Sequence, residues 1–162
     1  DSTMFEKPQA EHSWLEPLLG DWLTEAECQM GPGEPLHKST GETRCRSMEG
    51  MWYLLEGSGE EPEGGRWSTL MTLGYDAKKS CYTGTFVGSM MTHLWLYTSG
   101  IISEGKKLIL NTEGPNFHGE GMTSYKDIIE LVDDSHWILT SEILTDEGKW
   151  QQIVTSHYRR KT

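Results

Sequence analysis

The chain has 162 residues and carries 14 lysines and arginines against 25 aspartates and glutamates, a formal charge of −11 before histidine is counted. That length fits one domain with a substantial core. The charge argues against nucleic acid and anionic membranes as partners, because affinity for either comes largely from neutralising phosphate.

No run approaches the length and apolarity of a membrane-spanning helix, and no secretory leader is visible, so a cytoplasmic location is expected. Cys28, Cys45 and Cys81 are odd in number and widely spaced, which argues against a disulfide framework and against a CxxC metal or redox motif. Seven tryptophans and six tyrosines suit either core packing in strands or the walls of an aromatic cavity.

Residues 1–7 read as an N-terminal tail, and Met4 fits a natural start behind a three-residue remnant. From Pro8 to Leu19 the residues Trp14, Leu15, Leu18 and Leu19 fall on one helical side, which predicts a short helix. Pro17 removes a backbone donor, so the helix should stop or tighten there, with Gly20 ending it. So short a helix needs tertiary support, and its apolar side is expected to close over something such as the end of a barrel.

Strands are then predicted at Asp21–Met30, at 37–48 with Gly41 permitting a bulge, and at Met51–Glu56. The composition of Gly57–Gly65 reads as a solvated loop able to gate an opening. Three runs follow, Trp67–Gly74, Ser80–Val87 and Met91–Thr98, parted by Tyr75-Asp76-Ala77-Lys78-Lys79 and by Gly88-Ser89. A turn-rich link at Gly100–Lys107 leads to Leu108–Leu110, and 111–120 reads as an irregular loop. Met122–Val132, His136–Leu144 and Trp150–Arg159 complete the chain. About ten short strands joined by tight turns, with no βαβ rhythm, predict one antiparallel up-and-down β-barrel over residues 8–160 with a short N-terminal helix. A two-sheet sandwich is the alternative. Such a barrel is wide enough to hold an interior cavity.

Period two puts Met91, His93, Trp95 and Tyr97 on one face of their run, a candidate cavity wall. None of the six histidines sits in an HExxH or Cys-His zinc spacing, so no metal site is expected. His93 stands out because its imidazole would lie among large apolar groups, where it suits ligand binding or proton transfer. Glu142 shares a face with His136, Ile138, Thr140 and Leu144. Its neighbours on the last strand, including Tyr158, depend on whether Leu144 or Thr145 pairs with Lys149, and a one-residue slip reverses every side chain. An inward Glu142 beside Arg44, Arg46 or Arg160 would be either a polar anchor in the cavity or a structural ion pair. No GxSxG, SxxK or phosphate-loop context appears.

Several short motifs, taken in order, resemble the DUF1579 family, domains of unknown function grouped with calycin- and lipocalin-like barrels. They are His12-x-x-Leu15 with Leu18-x-Gly20-x-Trp22, the Gly74-Tyr75-Asp76 turn, Tyr82-x-Gly84-x-Phe86 with Ser89-Met90, and Glu142 followed by Tyr158 with Arg159 or Arg160. Phe86 stands where the family commonly has Trp. The resemblance spans roughly residues 9–160 and implies a closed or nearly closed calycin-like barrel with a helix near one end, without a settled activity. A similar barrel in the nitrobindin-like group holds haem through an axial histidine, a lesser reading here.

The function that fits best is binding of a small, largely apolar ligand inside the barrel, with Met91, His93, Trp95, Tyr97, Glu142 and Tyr158 as candidate contacts. One alternative is an enzyme using His93 or Glu142 as general base. The other is a structural or self-associating domain, possible as a homo-oligomer, with a filled interior and an apolar surface patch.

Overall fold

A computed structural model describes residues 4–162. The predicted tail, residues 1–7, therefore falls in part outside the described residues. Ten antiparallel strands close into a barrel in the order β1-β10-β9-β8-β7-β6-β5-β4-β3-β2. They are β1 (Gly20–Cys28), β2 (His37–Met48), β3 (Trp52–Glu60), β4 (Arg66–Asp76), β5 (Cys81–Gly88), β6 (Trp95–Ser103), β7 (Lys107–Pro115), β8 (Met122–Asp133), β9 (His136–Leu144) and β10 (Trp150–Arg160). Each strand pairs with its sequence neighbours, and β1 pairs with β10 from Trp22↔Arg160 to Cys28↔Val154, so closure leaves no free edge.

The strand count agrees with the sequence, but several ends move. β3 runs on through Gly57, Ser58 and Gly59, and β7 runs on from Asn111 to Pro115. Both stretches were expected to be loops. Their glycines are strand residues on which aromatic rings lie: a Cβ on Gly59 would meet the Trp67 ring at 2.4 Å, and one on Gly114 the Trp95 ring at 2.1 Å. Composition signals a loop at such positions, whereas the pairing requires a strand without side-chain bulk. β6 begins only at Trp95 and reaches Ser103, so Met91 and His93 precede the strand expected to hold them.

A 3₁₀ helix spans Ala10–Leu18 and contains Pro17. The tight turns continue through this proline, so the helix does not stop there. Its buried Leu15 and Leu18 join Trp22, Tyr53, Leu73, Tyr82, Leu108 and Trp137 in the main core, which fills one end of the barrel. We call this the closed end. At the other, open end, a smaller group of Trp95, Tyr125, Ile143 and Ile153 packs with Met30, Phe86 and Met91.

The closed end is pinned by one set of contacts from both ends of the chain. Trp22 donates from Nε1 to the Leu18 carbonyl at 2.8 Å and meets Trp137 edge-on at 5.9 Å. Trp137 stacks on Tyr158 with centroids 3.7 Å apart. The Arg160 guanidinium lies 4.2 Å over the Trp22 ring and donates from Nη1 to the Leu19 carbonyl at 2.9 Å and from Nε to the Asp134 carbonyl at 2.9 Å. Gly20 is obligatory here. Its φ is +117°, and a Cβ would stand 2.6 Å from Arg160 Nη1.

Gly20→Ala is expected to cost about 1–3 kcal/mol, since it imposes a strained backbone and displaces the guanidinium. Gly119→Ala, where a Cβ meets only Asn116 Nδ2 at 3.5 Å, should leave the midpoint nearly unchanged. Thermal denaturation of the two variants beside the parent checks the contrast.

Candidate functional site

Alternation from the buried anchors fixes which side chains face the lumen. On β9 the buried residues are Trp137, Leu139 and Ile143, so Ser141 points inward and Glu142 outward. On β8 the buried Tyr125 and Ile129 bracket Asp127, which therefore points inward. Glu142 pairs with Lys126 and Gln152 on the outer wall. The expectation of an inward Glu142 is thus corrected: the barrel's inward carboxylate is Asp127. Arg44 and Arg46 do not serve it either, because they pair on the outer face with Asp21 at 2.8 Å and Glu56 at 3.1 Å. The last hairpin pairs Thr145 with Lys149, the shorter-loop alternative, and the Thr145 amide donates to the Lys149 carbonyl at 2.8 Å. A bulge at Ile153 then resets β10 so that Tyr158, level with Trp137, faces inward as the ligand reading needs.

Asp127 sits at the centre of a polar network. Tyr97 donates its hydroxyl to Oδ2 at 2.5 Å, and Ser141 donates to Oδ1 at 2.6 Å. Asp127, Ser141 and Tyr158 point inward yet are only half-buried, whereas Tyr97 is buried. Inward-facing groups that are enclosed but still accessible must border an internal space. Across the lumen the wall is thin, with Ala26, Ser39, Gly41, Gly57 and Thr69 as the inward positions of β1 to β4 and Trp67 lying flat over Gly41 and Gly59. Burial raises the Asp127 carboxyl above its ordinary value, while the Ser141 and Tyr97 hydrogen bonds pull the other way. Burial, together with the Asp127 charge, pushes the Tyr97 phenol up well beyond its usual range and holds Tyr158 at about 12. Both phenols are therefore neutral donors at physiological pH.

Beside this network the wall parts. β6 carries one extra residue against β5 between Tyr97 and Gly100, and its ladder with β7 stops at Ser99↔Asn111. The bulge bends β6 away, as an inserted residue does, so Trp95 to Tyr97 pair with β5 alone. A cleft of about 510 Å³ fills the gap, lined on the outside by His93, Leu94, Leu96, Asn111, Glu113, Met122 and Trp150. At its bottom are Thr112 and Tyr125, inner-face residues of β7 and β8. Thr112 is 6% exposed, and among the described residues its hydroxyl has no hydrogen-bond partner.

The candidate residues thus separate. Trp95 and Tyr97 face inward, the first donating to Met91 Sδ at 3.0 Å and the second bound to Asp127. His93 lies in the cleft, edge-on to Trp95 at 4.7 Å, with Nε2 3.0 Å from the Glu113 carbonyl. It bridges the parted strands and lines no wall of the lumen. His93 lines the cleft while Glu142 stands on the outer wall, so the two share no cavity. Asp127, Ser141 and Thr112 were missed. The one available signal was the strand phase of Tyr125-Lys126-Asp127-Ile128-Ile129, which puts Asp127 level with Tyr125 and Ile129.

The family profile described as "Protein of unknown function (DUF1579)" matches residues 7–160. The chain belongs to the DUF1579 family. No curated protein matches it in sequence. The crystal structure of Rv2717c from M. tuberculosis superposes with a TM-score of 0.66 at 12% identity, covering 96% of this chain and 100% of that one. A barrel described as EF1p2_mFAP2b bound to DFHBI superposes with a TM-score of 0.50 at 10% identity, covering 93% of this chain and 98% of that one. At these identities the likeness shows the fold alone.

The family markers acquire physical roles in this DUF1579 barrel. Gly20, Trp22, Tyr158 and Arg160 make the closed-end contacts, and His12 accepts the Gln9 amide at Nδ1, 2.9 Å away, at the helix start. The haem reading fits poorly: His12 is at the closed end and His93 in the outer cleft, His37 is exposed at the rim, and His136 and His157 face outward, hydrogen-bonded to each other at 2.9 Å. His118 lies in the exposed 116–121 loop. Among the described residues no histidine stands on the mid-lumen wall as an axial ligand.

The raised Asp127 value has a thermodynamic consequence. The folded state holds this proton to higher pH than the unfolded state, so Asp127 removes stability as pH rises from the ordinary carboxylate value, about 3.9, through the raised one. Asp127→Asn lacks that loss. Its stability relative to the parent, from urea denaturation at several pH values, should rise from acid to neutral pH.

Proposed function

We propose that this DUF1579 barrel binds a small, largely apolar ligand in the open-end half of its lumen. The reading rests on one observation above the others: the β6–β7 wall parts into a cleft of about 510 Å³ whose floor, Thr112 and Tyr125, belongs to the inner face. An opening of that size admits a molecule of one or two rings. Apolar groups dominate the surroundings. Trp95, Tyr125, Ile143 and Phe86 line the lumen side, while Leu94 and Leu96, each about half exposed, flank the opening outside.

Asp127, Tyr97 and Ser141 supply the few polar groups that orient a ligand in such a site, and the inward Tyr158 adds a phenol nearby. The closed end contributes rigidity, because its core leaves the lower lumen filled. In this reading the cleft is the entrance, with Trp95 and Tyr97 the side chains behind it. Half-buried His93, held by Nε2 at the Glu113 carbonyl and edge-on to Trp95, is the contact that must give way when the strands part further.

Native mass spectrometry of the protein purified from its own cells should show a retained small molecule. Thr98→Trp, which fills the cleft from outside, should slow uptake and release of that ligand together by about tenfold, equivalent to 1.4 kcal/mol on the barrier, with Kd unchanged. Purified protein that carries no ligand and admits no apolar probe counts against the proposal.

A further inference from the structure

The lumen's electrostatics are one-sided. Asp127 is the carboxylate on the inner wall, and its polar contacts are the Tyr97 and Ser141 hydroxyls, both neutral. Among the described residues no lysine, arginine or histidine forms an ion pair with it, and no cation contributes to its electrostatic surroundings. A carboxylate enclosed without a cation is costly, and proteins normally pair it. Two donated hydrogen bonds leave it further acceptor capacity.

A second observation lies one strand away. Thr112 pairs with Tyr125 on β8, two residues from Asp127. Among the described residues its buried hydroxyl has no partner, an unmet hydrogen-bonding capacity beside Asp127.

The approach to the lumen has the same sign. The open-end loops, 29–36, 61–65, 89–94, 116–121 and 145–149, hold Glu34, Glu61, Glu63, Glu120, Asp146 and Glu147 against a single lysine or arginine, Lys149. The closed-end turns, by contrast, balance Glu49, Glu104 and Asp134 against Lys78, Lys79 and Lys106. The excess negative charge is therefore concentrated at the end beside which the cleft opens. A mouth of one sign above a low-dielectric cavity concentrates counter-ions and repels like charges.

From these placements we infer that the ligand class is a monocationic organic amine, an apolar body carrying one ammonium group that sits against Asp127 with Thr112 within its polar reach. This rests on the lumen-binding reading above and narrows it. A protonated amine supplies the missing charge and donates to the open acceptor sites of the carboxylate. Its apolar body lies in the lumen against the cluster of Phe86, Trp95 and Tyr125. An acid of the same shape would be opposed both at the mouth and at Asp127.

Three probes with one body separate the possibilities: 4-phenylbutylamine, 4-phenylbutanol and 4-phenylbutyrate, titrated calorimetrically into the full chain at neutral pH. The amine should bind at least about tenfold more tightly than the alcohol, with the acid weakest. Asp127→Asn should bring the amine to the alcohol's affinity and leave the alcohol's unchanged. If that variant does not fold, the carboxyl carbon shift of Asp127 in the parent serves instead, and it should move on adding the amine and stay on adding the alcohol. Binding of amine and alcohol with equal affinity overturns the ligand class while leaving the lumen reading intact. An amine preference that survives Asp127→Asn, or a carboxyl shift indifferent to the amine, also overturns it. Binding of none of the three overturns the lumen reading and this inference with it.

Discussion

Everything in this molecule depends on closing the sheet between its first and last strands. β1 and β10 come from opposite ends of the chain, so their ladder is the contact of largest sequence separation and costs the most loop entropy to form. Side chains reinforce it where it begins. Trp22 on β1 meets Trp137 on β9, Trp137 stacks on Tyr158 of β10, and Arg160 lies over Trp22. The same guanidinium donates to the Leu19 carbonyl at the helix exit. One aromatic and cationic group thus locks the seam and seats the helix that covers the core. It also explains why a glycine precedes Trp22 by two residues, since any side chain at Gly20 would occupy the place of the guanidinium.

With one end held in this way, irregularity can be tolerated at the other. The interrupted β6–β7 ladder and the glycines under Trp67 and Trp95 lie in the open half, and the β6 bulge, opposite Thr83, sits where that half meets the closed-end core. Bulges and strand glycines weaken a sheet locally. Here they open the wall beside the inward polar groups while the remaining ladders keep the barrel closed. The wall's weakest seam and its most unusual buried side chain are neighbours: Tyr97, just before the bulge, is the residue that binds Asp127.

Strand periodicity made the architecture legible. The strands at 37–48 and His136–Leu144 were legible with both their ends, because each is flanked by turn residues. Glycine misled in two places. Gly57, Gly59 and Gly114 read as loop, yet they are strand positions whose missing side chains make room for a threonine and two tryptophans. No local rule reveals which distant ring will lie on a glycine. The site was less legible. Glu142 and Asp127 occupy similar contexts, each beside isoleucines in a β strand, and they differ only in phase relative to the lumen. That phase follows from the whole closed sheet, in particular from the Ile153 bulge and the Thr145–Lys149 turn. His93 drew attention through its apolar neighbours, but the bulge at β6 and the late strand start place it outside.

The distribution of unsatisfied polar atoms separates packing from function. His12 Nε2 and Trp137 Nε1, buried at the closed end without conventional partners, each belong to a ring set at a T-shaped angle to a neighbour, Tyr75 at 5.9 Å and Trp22 at 5.9 Å. An N–H among aromatic faces keeps part of a hydrogen bond's energy, so these two are compatible with a finished core. Thr112 has no such compensation. Its hydroxyl is buried at the floor of the cleft, one strand from a carboxylate that has donors but no counter-charge. The unpartnered Thr112 hydroxyl, the carboxylate without a counter-charge and the shortened β6–β7 ladder are neighbours. Their coincidence is what the proposed ligand site would use.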